Sequence, residues 1–170
     1  GTLSVSSDAN LGTSPGSTDA DNIILSGGTL NTTASFTMDT DRGVTLTGNG
    51  GINVNAVTTL TYGGIVADGL SSFSLTKSGG GDFVLSGAHT YDGDTTISAG
   101  TITLTGSLNL ETDMIISDGA TWDLRATQTI NSLNLDGTIS NGAGASSLTV
   151  STTSDIGGSI TTSGTQTYTS

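Results

Sequence analysis

Residues 78–104 decide the fold of this chain, and they read Ser-Gly-Gly-Gly-Asp-Phe-Val-Leu-Ser-Gly-Ala-His-Thr-Tyr-Asp-Gly-Asp-Thr-Thr-Ile-Ser-Ala-Gly-Thr-Ile-Thr-Leu. The stretch holds three short apolar groups, at residues 83–85, at Ile97 and at residues 102–104, separated by glycine, aspartate and serine. Runs this short, rich in β-branched residues and bounded by turn formers, are typical of strands and too brief for the apolar stripe of a helix. The stretch therefore predicts an alternation of short strands and tight corners.

Short pieces of this kind recur along the chain. Residues 100–105 repeat the pattern of residues 1–6, and residues 137–141 resemble residues 28–31. Pairs of apolar residues also return about every six to ten positions, as three-sided coils of roughly 20 residues would require. Reused coils predict an all-β, right-handed, single-stranded parallel β-helix, or β-solenoid, with about eight coils stacked at about 4.8 Å.

The composition fits a thin solenoid better than a compact globule. Of 170 residues, 26 are glycine, 33 are threonine and one is proline, while aromatic residues make up 4% and hydrophobic residues 32%. Few aromatic residues leave a core of Leu, Ile, Val and small side chains, which stacked coils can fill one at a time. We expect Val84 and Leu104 to point into this core, so that an aspartate at either position would unfold the chain.

The chain is expected to be a single β-helix segment, residues 1–170, taken from a larger repeat protein. Both ends fall within repeats, composition does not shift along the chain, and no run approaches the roughly 20 apolar residues of a transmembrane helix. Surface loops are expected at residues 13–21, which hold the only proline, and at the glycine-rich residues 141–147.

The net charge of −12 excludes one class of partner. Fifteen acidic residues face only Arg42, Lys77 and Arg125. Such a surface repels nucleic acid and anionic membranes, because phosphate binding needs a basic patch. There are no cysteines, so disulfides contribute nothing to the fold.

The central stretch resembles a known repeat. Residues 75–79 (Leu-Thr-Lys-Ser-Gly), 83–97 (Phe-Val-Leu-Ser-Gly-Ala-His-Thr-Tyr-Asp-Gly-Asp-Thr-Thr-Ile) and 99–102 (Ala-Gly-Thr-Ile) are similar to the passenger-associated transport repeat of autotransporter passenger domains. Further segments fit the same family between residue 1 and about residue 140, namely residues 27–30, 65–69, 120–124 and 128–133. The remainder of the chain, from residue 141 to residue 170, looks more like the filamentous-haemagglutinin-type repeats of large adhesins.

Both resemblances imply a right-handed parallel β-helix on an exported bacterial protein, and neither carries a catalytic residue onto this chain. The chain departs from the usual repeat at His89, where asparagine is commoner, and at Asp92 and Asp94, where threonine and glycine are commoner. If asparagine caps a corner in the family, that corner differs here.

Three pairs of aspartates two residues apart are the candidate calcium ligands, namely Asp19/Asp21, Asp39/Asp41 and Asp92/Asp94. Calcium takes six to eight oxygen ligands, and none of the pairs extends into an EF-hand loop. Residues 79–82 are a single fragment of the glycine-and-aspartate calcium roll. Because aspartate favours turns on its own, we interpret the pairs as corner residues and assign no metal, cofactor or catalytic residue.

An enzyme is the first alternative. The aspartate pairs could supply the acid and base of a carbohydrate-active β-helix, but such a cleft also gathers basic and aromatic side chains, which are scarce here. His89 is the only histidine, so a serine–histidine–acid triad would require it. Its corner motif favours a solvent-facing or locally hydrogen-bonded ring instead. Trp122 is interpreted as a core residue, with an exposed sugar platform as the alternative. The chain is predicted not to be an enzyme.

An ice-binding face would need Thr-x-Thr motifs at a constant coil spacing. These motifs start at positions that include 45, 59, 101, 103, 127 and 165, which gives no constant interval. Threonine is therefore explained as a strand former on the solvated side.

These observations predict a structural segment of a secreted or surface-displayed autotransporter or adhesin passenger, anchored to the outer membrane through parts outside this segment. It would act as a stalk and adhesion scaffold and would help the passenger fold during export, each coil templating the next. The alternatives are a carbohydrate-active β-helix enzyme and a spacer without a ligand. Expected partners are neighbouring coils of the parent protein and a host-cell, surface or polysaccharide ligand; nucleic acid and membrane insertion are not expected.

Overall fold

A computed structural model describes residues 1–143 and 146–169 of the chain. Over this range the protein is a β-solenoid whose strand pairings are all parallel. The described residues contain one four-residue 3₁₀ turn, Asp8–Leu11, and no helix long and apolar enough to cross a membrane. The predicted all-β solenoid is confirmed, while the centre of the loop expected at residues 141–147 lies outside the described residues.

The described residues form 21 strands, which in chain order are β1 (Thr2–Val5), β2 (Asp19–Leu25), β3 (Thr29–Thr32), β4 (Phe36–Met38), β5 (Arg42–Leu46), β6 (Gly50–Val54), β7 (Thr59–Tyr62), β8 (Val66–Ala67), β9 (Leu75–Ser78), β10 (Asp82–Leu85), β11 (Thr95–Ile97), β12 (Thr101–Leu104), β13 (Met114–Ile116), β14 (Thr121–Leu124), β15 (Gln128–Ile130), β16 (Leu133–Leu135), β17 (Thr138–Ser140), β18 (Leu148–Val150), β19 (Ser154–Ile156), β20 (Ser159–Ile160) and β21 (Gln166–Tyr168).

The strands build three faces. Face 1 is an eight-stranded sheet in the order β1-β3-β6-β9-β11-β13-β16-β19, and face 2 is a seven-stranded sheet in the order β4-β7-β10-β12-β14-β17-β20. Face 3 consists of two three-stranded sheets, β2-β5-β8 and β15-β18-β21.

The register of face 1 gives the length of each coil. Successive register partners across this sheet are Thr2, Thr29, Gly51, Thr76, Thr96, Ile115, Asn134 and Asp155. The first coil, from Thr2 to Thr29, is the longest, and later coils such as the one from Thr96 to Ile115 are shorter. The eight strands of face 1 thus span seven turns, close to the predicted number and length of coils.

Columns of inward side chains run the length of the solenoid. On face 2 the two inward columns are Phe36, Leu60, Phe83, Ile102, Trp122, Ile139 and Ile160, and Met38, Tyr62, Leu85, Leu104 and Leu124. Val84 points outward between the two columns and is only half-buried, with Thr61 and Thr103 as its register partners. The expectation that Val84 faces the core is therefore wrong, because side chains alternate along a strand. Leu104 is fully buried, as expected.

The pieces that recur in the sequence do not occupy equivalent places in the coil. Residues 1–6 run through β1 on face 1, whereas residues 100–105 run through β12 on face 2. Residues 28–31 and 137–141 are divided between faces 1 and 2 in the same way. The Gly-Thr-aliphatic pattern hence marks a strand that follows a corner, whichever face the strand belongs to.

The first surface loop is shorter than the sequence suggests and is pinned from inside. Strand β2 begins at Asp19, within the segment expected to be a loop. Arg42 is fully buried, and its Nε donates to Asp8 Oδ1 at 2.9 Å. Its Nη1 donates to Asn22 Oδ1 at 2.9 Å and its Nη2 to the carbonyl of Gly12 at 2.6 Å. One internal guanidinium therefore ties the 3₁₀ turn and the loop after it to the first coils.

Candidate functional site

Face 3 loses its strands in the middle of the solenoid. After β10 the chain runs through residues 86–94, and after β12 through residues 105–113, without forming a face-3 strand; we call these the strandless segments. Between them the strand pairing is reduced to an isolated parallel bridge between Ala88 and Ser107. Backbone groups that a strand would pair must find other partners here. Side chains supply part of this pairing in these two coils, beside the backbone bonds that remain.

His89 replaces part of a strand pairing in the first strandless segment. Its ring is 3% exposed, and Nδ1 accepts a hydrogen bond from the backbone N–H of Val66 at 3.2 Å. The backbone N–H of Thr90 donates to Val66 O, and that of His89 to Ser107 O, both at 2.9 Å. Burial lowers the pKa of His89 to about 4, so the ring is neutral at pH 7. Because Nδ1 accepts, the proton belongs on Nε2, which has no partner among the described residues.

An amide side chain holds the second strandless segment. Gln128 Oε1 accepts from the N–H of Leu108 at 3.0 Å, and Gln128 Nε2 donates to the carbonyl of Leu108 at 3.1 Å. The amide thus offers Leu108 the donor and the acceptor that a neighbouring peptide group would supply. Asn109 Nδ2 adds a bond to the carbonyl of Thr90 at 3.1 Å, which joins the two strandless segments.

Two more buried polar side chains fix the ends of the first strandless segment. The Tyr91 hydroxyl is fully buried and shares a hydrogen bond with Thr95 Oγ1 at 2.6 Å. Asp68 Oδ2 accepts from the backbone N–H groups of Phe73 and Asp92, both at 3.1 Å. Burial raises the pKa of Tyr91, so its phenol stays protonated. These bonds close the corner through which the chain returns to face 1.

Lys77 is the second cation inside the solenoid. It stands in an inward aliphatic column of face 1, between Ile52 and Ile97, and is fully buried. Its ammonium donates to backbone carbonyls of two stacked corners; the acceptors are Ser78 O at 2.8 Å, Gly79 O at 2.8 Å and Ala99 O at 3.0 Å. Burial lowers the pKa of Lys77 to about 8, against the opposing effect of Asp82. The residue acts as an internal cap for carbonyls that no strand pairs.

The three aspartate pairs lie apart in the solenoid. Asp19/Asp21 belong to β2, Asp39/Asp41 to the corner between β4 and β5, and Asp92/Asp94 to the end of the first strandless segment. Asp39 Oδ1 accepts from the N–H of Asp41 at 2.8 Å, a bond typical of turns. Within residues 1–143 and 146–169 no three His, Cys, Asp or Glu side chains form a group that could hold a metal ion. Because Asp19 and Asp21 lie within a strand, the corner interpretation is wrong for that pair. It stays a prediction for Asp92/Asp94.

His89 is not arranged as a catalytic base. A backbone N–H occupies its Nδ1, and no hydroxyl of the described residues bonds its Nε2. The expectation of a solvent-facing or locally hydrogen-bonded ring is wrong, because the ring is buried and its hydrogen-bond partner, Val66, lies in the preceding coil. Trp122 is fully buried in an inward column of face 2, so its interpretation as a core residue is confirmed.

Sequence reasoning missed the roles of Lys77 and Gln128. The alternation of side chains along a strand does indicate that both residues point inward. Lys77 lies two residues after Leu75, and Gln128 two residues before Ile130, so each shares the inward side of a strand with an aliphatic residue.

The central part of the sequence also matches a known family. Residues 75–104 fit the family model described as the passenger-associated-transport-repeat. We call this stretch, which is similar to that repeat, the transport repeat. It runs from β9 to β12 and includes Lys77, His89 and Tyr91. The resemblance inferred from the sequence is confirmed for these residues.

The chain carrying this transport repeat is 43% identical, over 109 residues and 64% of its length, to the Adhesin BmaC autotransporter of Brucella suis biovar 1 (strain 1330). The aligned part spans 3% of the length of that relative. No solved structure matches the chain. The similarity of residues 141–170 to filamentous-haemagglutinin-type repeats stays a prediction.

Proposed function

We propose that this chain is a structural segment of the passenger of a bacterial autotransporter adhesin, secreted or displayed at the cell surface, and that residues 1–170 are one β-helix segment of a larger repeat protein. The segment extends the passenger as a stalk and presents its faces as an adhesion scaffold. The observation that carries the proposal is that the transport repeat forms one full coil and two faces of the next within a continuous solenoid.

The repeat also assists folding of the passenger during export. In a parallel solenoid each finished coil leaves an open strand edge on which the next coil forms, so folding can proceed from coil to coil. In the strandless segments this edge is completed by side chains, chiefly His89 and Gln128. The repeat coil therefore becomes fully bonded only when the coils on both sides are in place.

Removal of one coil tests this proposal. Leu75 and Thr95 are register partners, so deletion of residues 75–94 removes one coil of the transport repeat and leaves the face-1 register intact. Leu133 and Ser154 are also register partners, and deletion of residues 133–153 is the matched control outside the repeat. Each variant is fused between a signal peptide and an autotransporter barrel, and protease-accessible passenger on intact cells is followed over time.

The deletion of residues 75–94 is expected to slow the appearance of folded passenger at the surface several-fold more than the deletion of residues 133–153. Equal export of both variants would contradict an export role for the repeat. Failure of the unaltered chain to reach the surface in folded form would contradict the proposed passenger function itself.

A further inference from the structure

The outward side of face 2 carries ordered hydroxyl groups. Its two outward columns, which we call the hydroxyl face, are Thr59, Asp82, Thr101, Thr121, Thr138 and Ser159, and Thr37, Thr61, Val84, Thr103, Asp123 and Ser140. Successive members of a column are about 4.8 Å apart, and the two columns are about 7 Å apart, because they lie two residues apart along each strand. The Thr-x-Thr motifs at Thr59 and Thr101 belong to these columns. Their uneven spacing in the sequence reflects coils of unequal length, so it does not argue against an ordered threonine face.

Most of these hydroxyls are free. Within the described chain, only Thr138 and Ser159 of the hydroxyl face bond through their hydroxyls, to each other at 3.2 Å. Corner threonines behave differently; Thr58, for example, donates to Asn55 O at 2.7 Å. On face 1, the outward column of Ser and Asn is bonded internally, as in Asn53 Nδ2 to Ser78 Oγ at 3.0 Å. The hydroxyl face thus keeps unused donors and acceptors in both of its columns, whereas face 1 has satisfied those of one column.

Thr103 keeps an unused hydroxyl at a largely buried place on this face. It points outward from β12, yet it is only 7% exposed, and its hydroxyl makes no hydrogen bond within the described residues. Its neighbour Asp123 is equally buried and is held by Arg125 Nε at 2.7 Å and by the N–H of Gly142 at 2.7 Å. The Thr103 hydroxyl itself is not sealed from solvent, so it is available to a hydroxyl or carbonyl from outside.

The charge of the hydroxyl face restricts the class of molecule that can bind there. Arg125 is paired with Asp123, and Asp82 is the other acidic side chain in the columns. The other two basic residues, Arg42 and Lys77, lie inside the solenoid. With a net charge of −12, the chain repels polyanions and a second copy of itself. Asp82, Val84 and Asp123 also interrupt the regular lattice that an ice surface would need.

We infer that the hydroxyl face binds a neutral linear polysaccharide laid along the solenoid axis; this rests on the proposed function as an adhesion scaffold. Each threonine offers one hydroxyl and one methyl group, which match the hydroxyl edges and the C–H faces of a pyranose ring. A pyranose ring is about as long as the spacing between coils, so successive rings meet successive threonines. Thr103 and Asp123 are the most buried members of the hydroxyl face. A sugar hydroxyl placed there donates to the Asp123 carboxylate and accepts from the Thr103 hydroxyl.

Isosteric substitutions test the inference on the purified 170-residue chain. Thr59→Val, Thr101→Val and Thr121→Val together remove three hydroxyls of one column and keep the shape and strand preference of the side chains. The matched control is Thr29→Val, Thr76→Val and Thr96→Val, which makes the same change in the outward column of face 1. Binding to β-1,3-glucan, β-1,4-mannan, xyloglucan and dextran is measured by affinity electrophoresis, with alginate as the polyanion.

The unaltered chain is expected to bind at least one neutral polymer and not alginate. The face-2 triple variant is expected to bind at least about tenfold more weakly, since three hydrogen bonds are lost together, while the face-1 variant stays within about twofold. Circular dichroism confirms that both variants fold. Absence of binding to every neutral polymer, equal weakening by both variants, equal binding of alginate, or thermal hysteresis in ice would each overturn the inference. None of these results depends on surface display, so the proposed function is tested separately by the export experiment.

Discussion

His89 gives the chain a pH dependence that one substitution can isolate. Its folded pKa of about 4 lies below the ordinary value of 6.5, so the unfolded chain binds more protons between these values. The stability due to the neutral ring is therefore complete above pH 6.5 and is lost as pH falls toward 4, by roughly 3 kcal/mol. We expect His89→Asn, which keeps an acceptor for the Val66 N–H but does not titrate, to remove this loss.

Urea unfolding at pH 7 and at pH 4.5 measures the effect. The difference between the unaltered chain and His89→Asn cancels the carboxylates, which both proteins share. His89→Ala is the control without an acceptor, and it should be less stable than the asparagine variant at both pH values. An identical pH dependence for the unaltered chain and His89→Asn would show that the ring is not held in its neutral form.

Val57 is strained by its own backbone. It has a φ of 63°, in the left-handed region that β-branched residues avoid, and it is fully exposed. The corner is a turn closed by the Thr58 N–H and the Asn55 carbonyl at 3.2 Å. Three coils later, the corresponding corner uses Gly119, with a φ of 75°.

Val57→Gly should stabilise the chain by about 0.5 to 1 kcal/mol, because relief of left-handed strain exceeds the entropy cost of glycine. Val57→Ala is the matched control; it shortens the same exposed side chain but keeps a Cβ, so it should gain less. Denaturant unfolding compares the three proteins. A glycine variant less stable than the alanine variant would refute the strain.

Strand β10 and its neighbour β12 show that the effect of a substitution depends on whether the side chain faces into or out of the solenoid. Val84 faces out of the solenoid and Leu104 faces in. Leu104→Asp is expected to abolish cooperative unfolding, since an unpaired carboxylate would enter a dry column. Val84→Asp should change the unfolding free energy by less than about 1 kcal/mol, as an ordinary surface substitution does. Thermal melts followed by circular dichroism separate the two, and an equally severe loss for Val84→Asp would place that side chain in the core.

The sequence predicts the strands, the corners and the coil length, because these depend on local alternation and on glycine and aspartate at breaks. It does not say which residue of an apolar triplet such as 83–85 faces outward. It also does not reveal that Gln128 pairs with Leu108 or that Lys77 caps a corner, because these contacts join different coils. The threonine columns cannot be recognised in the sequence for a related reason. The coils differ in length, so threonines that are neighbours in a column are not separated by a constant number of residues.

The whole molecule should be sensitive to salt. Of its three basic side chains, two are internal and Arg125 is paired with Asp123, so most of the 15 acidic residues face no opposing charge at the surface. Raising sodium chloride from about 0.01 M to about 0.15 M shortens the Debye length from about 30 Å to about 8 Å, and we expect the melting temperature to rise by a few degrees as repulsion is screened. Differential scanning calorimetry measures this directly, and a melting temperature that is flat or falls with salt would contradict it.

Calcium should raise the melting temperature little when the ionic strength is held constant. The described residues contain no group of three acidic side chains able to surround an ion, and corner aspartates alone bind calcium weakly. Calorimetry with millimolar calcium chloride, against sodium chloride of equal ionic strength, checks the expectation. A calcium-specific rise of many degrees would show that one of the aspartate pairs is a binding site.

The enclosed positions of Arg42 and Lys77 bear on digestion by proteases that cut after basic residues. Trypsin-like proteases must take an extended basic side chain into their specificity pocket, and this chain offers only three. Two of them are sealed within the bore, which leaves Arg125, after β14, as the single point of attack. A cut there would sever one link between stacked coils whose strands remain hydrogen-bonded to each other, so the two fragments are expected to stay together while the solenoid remains folded.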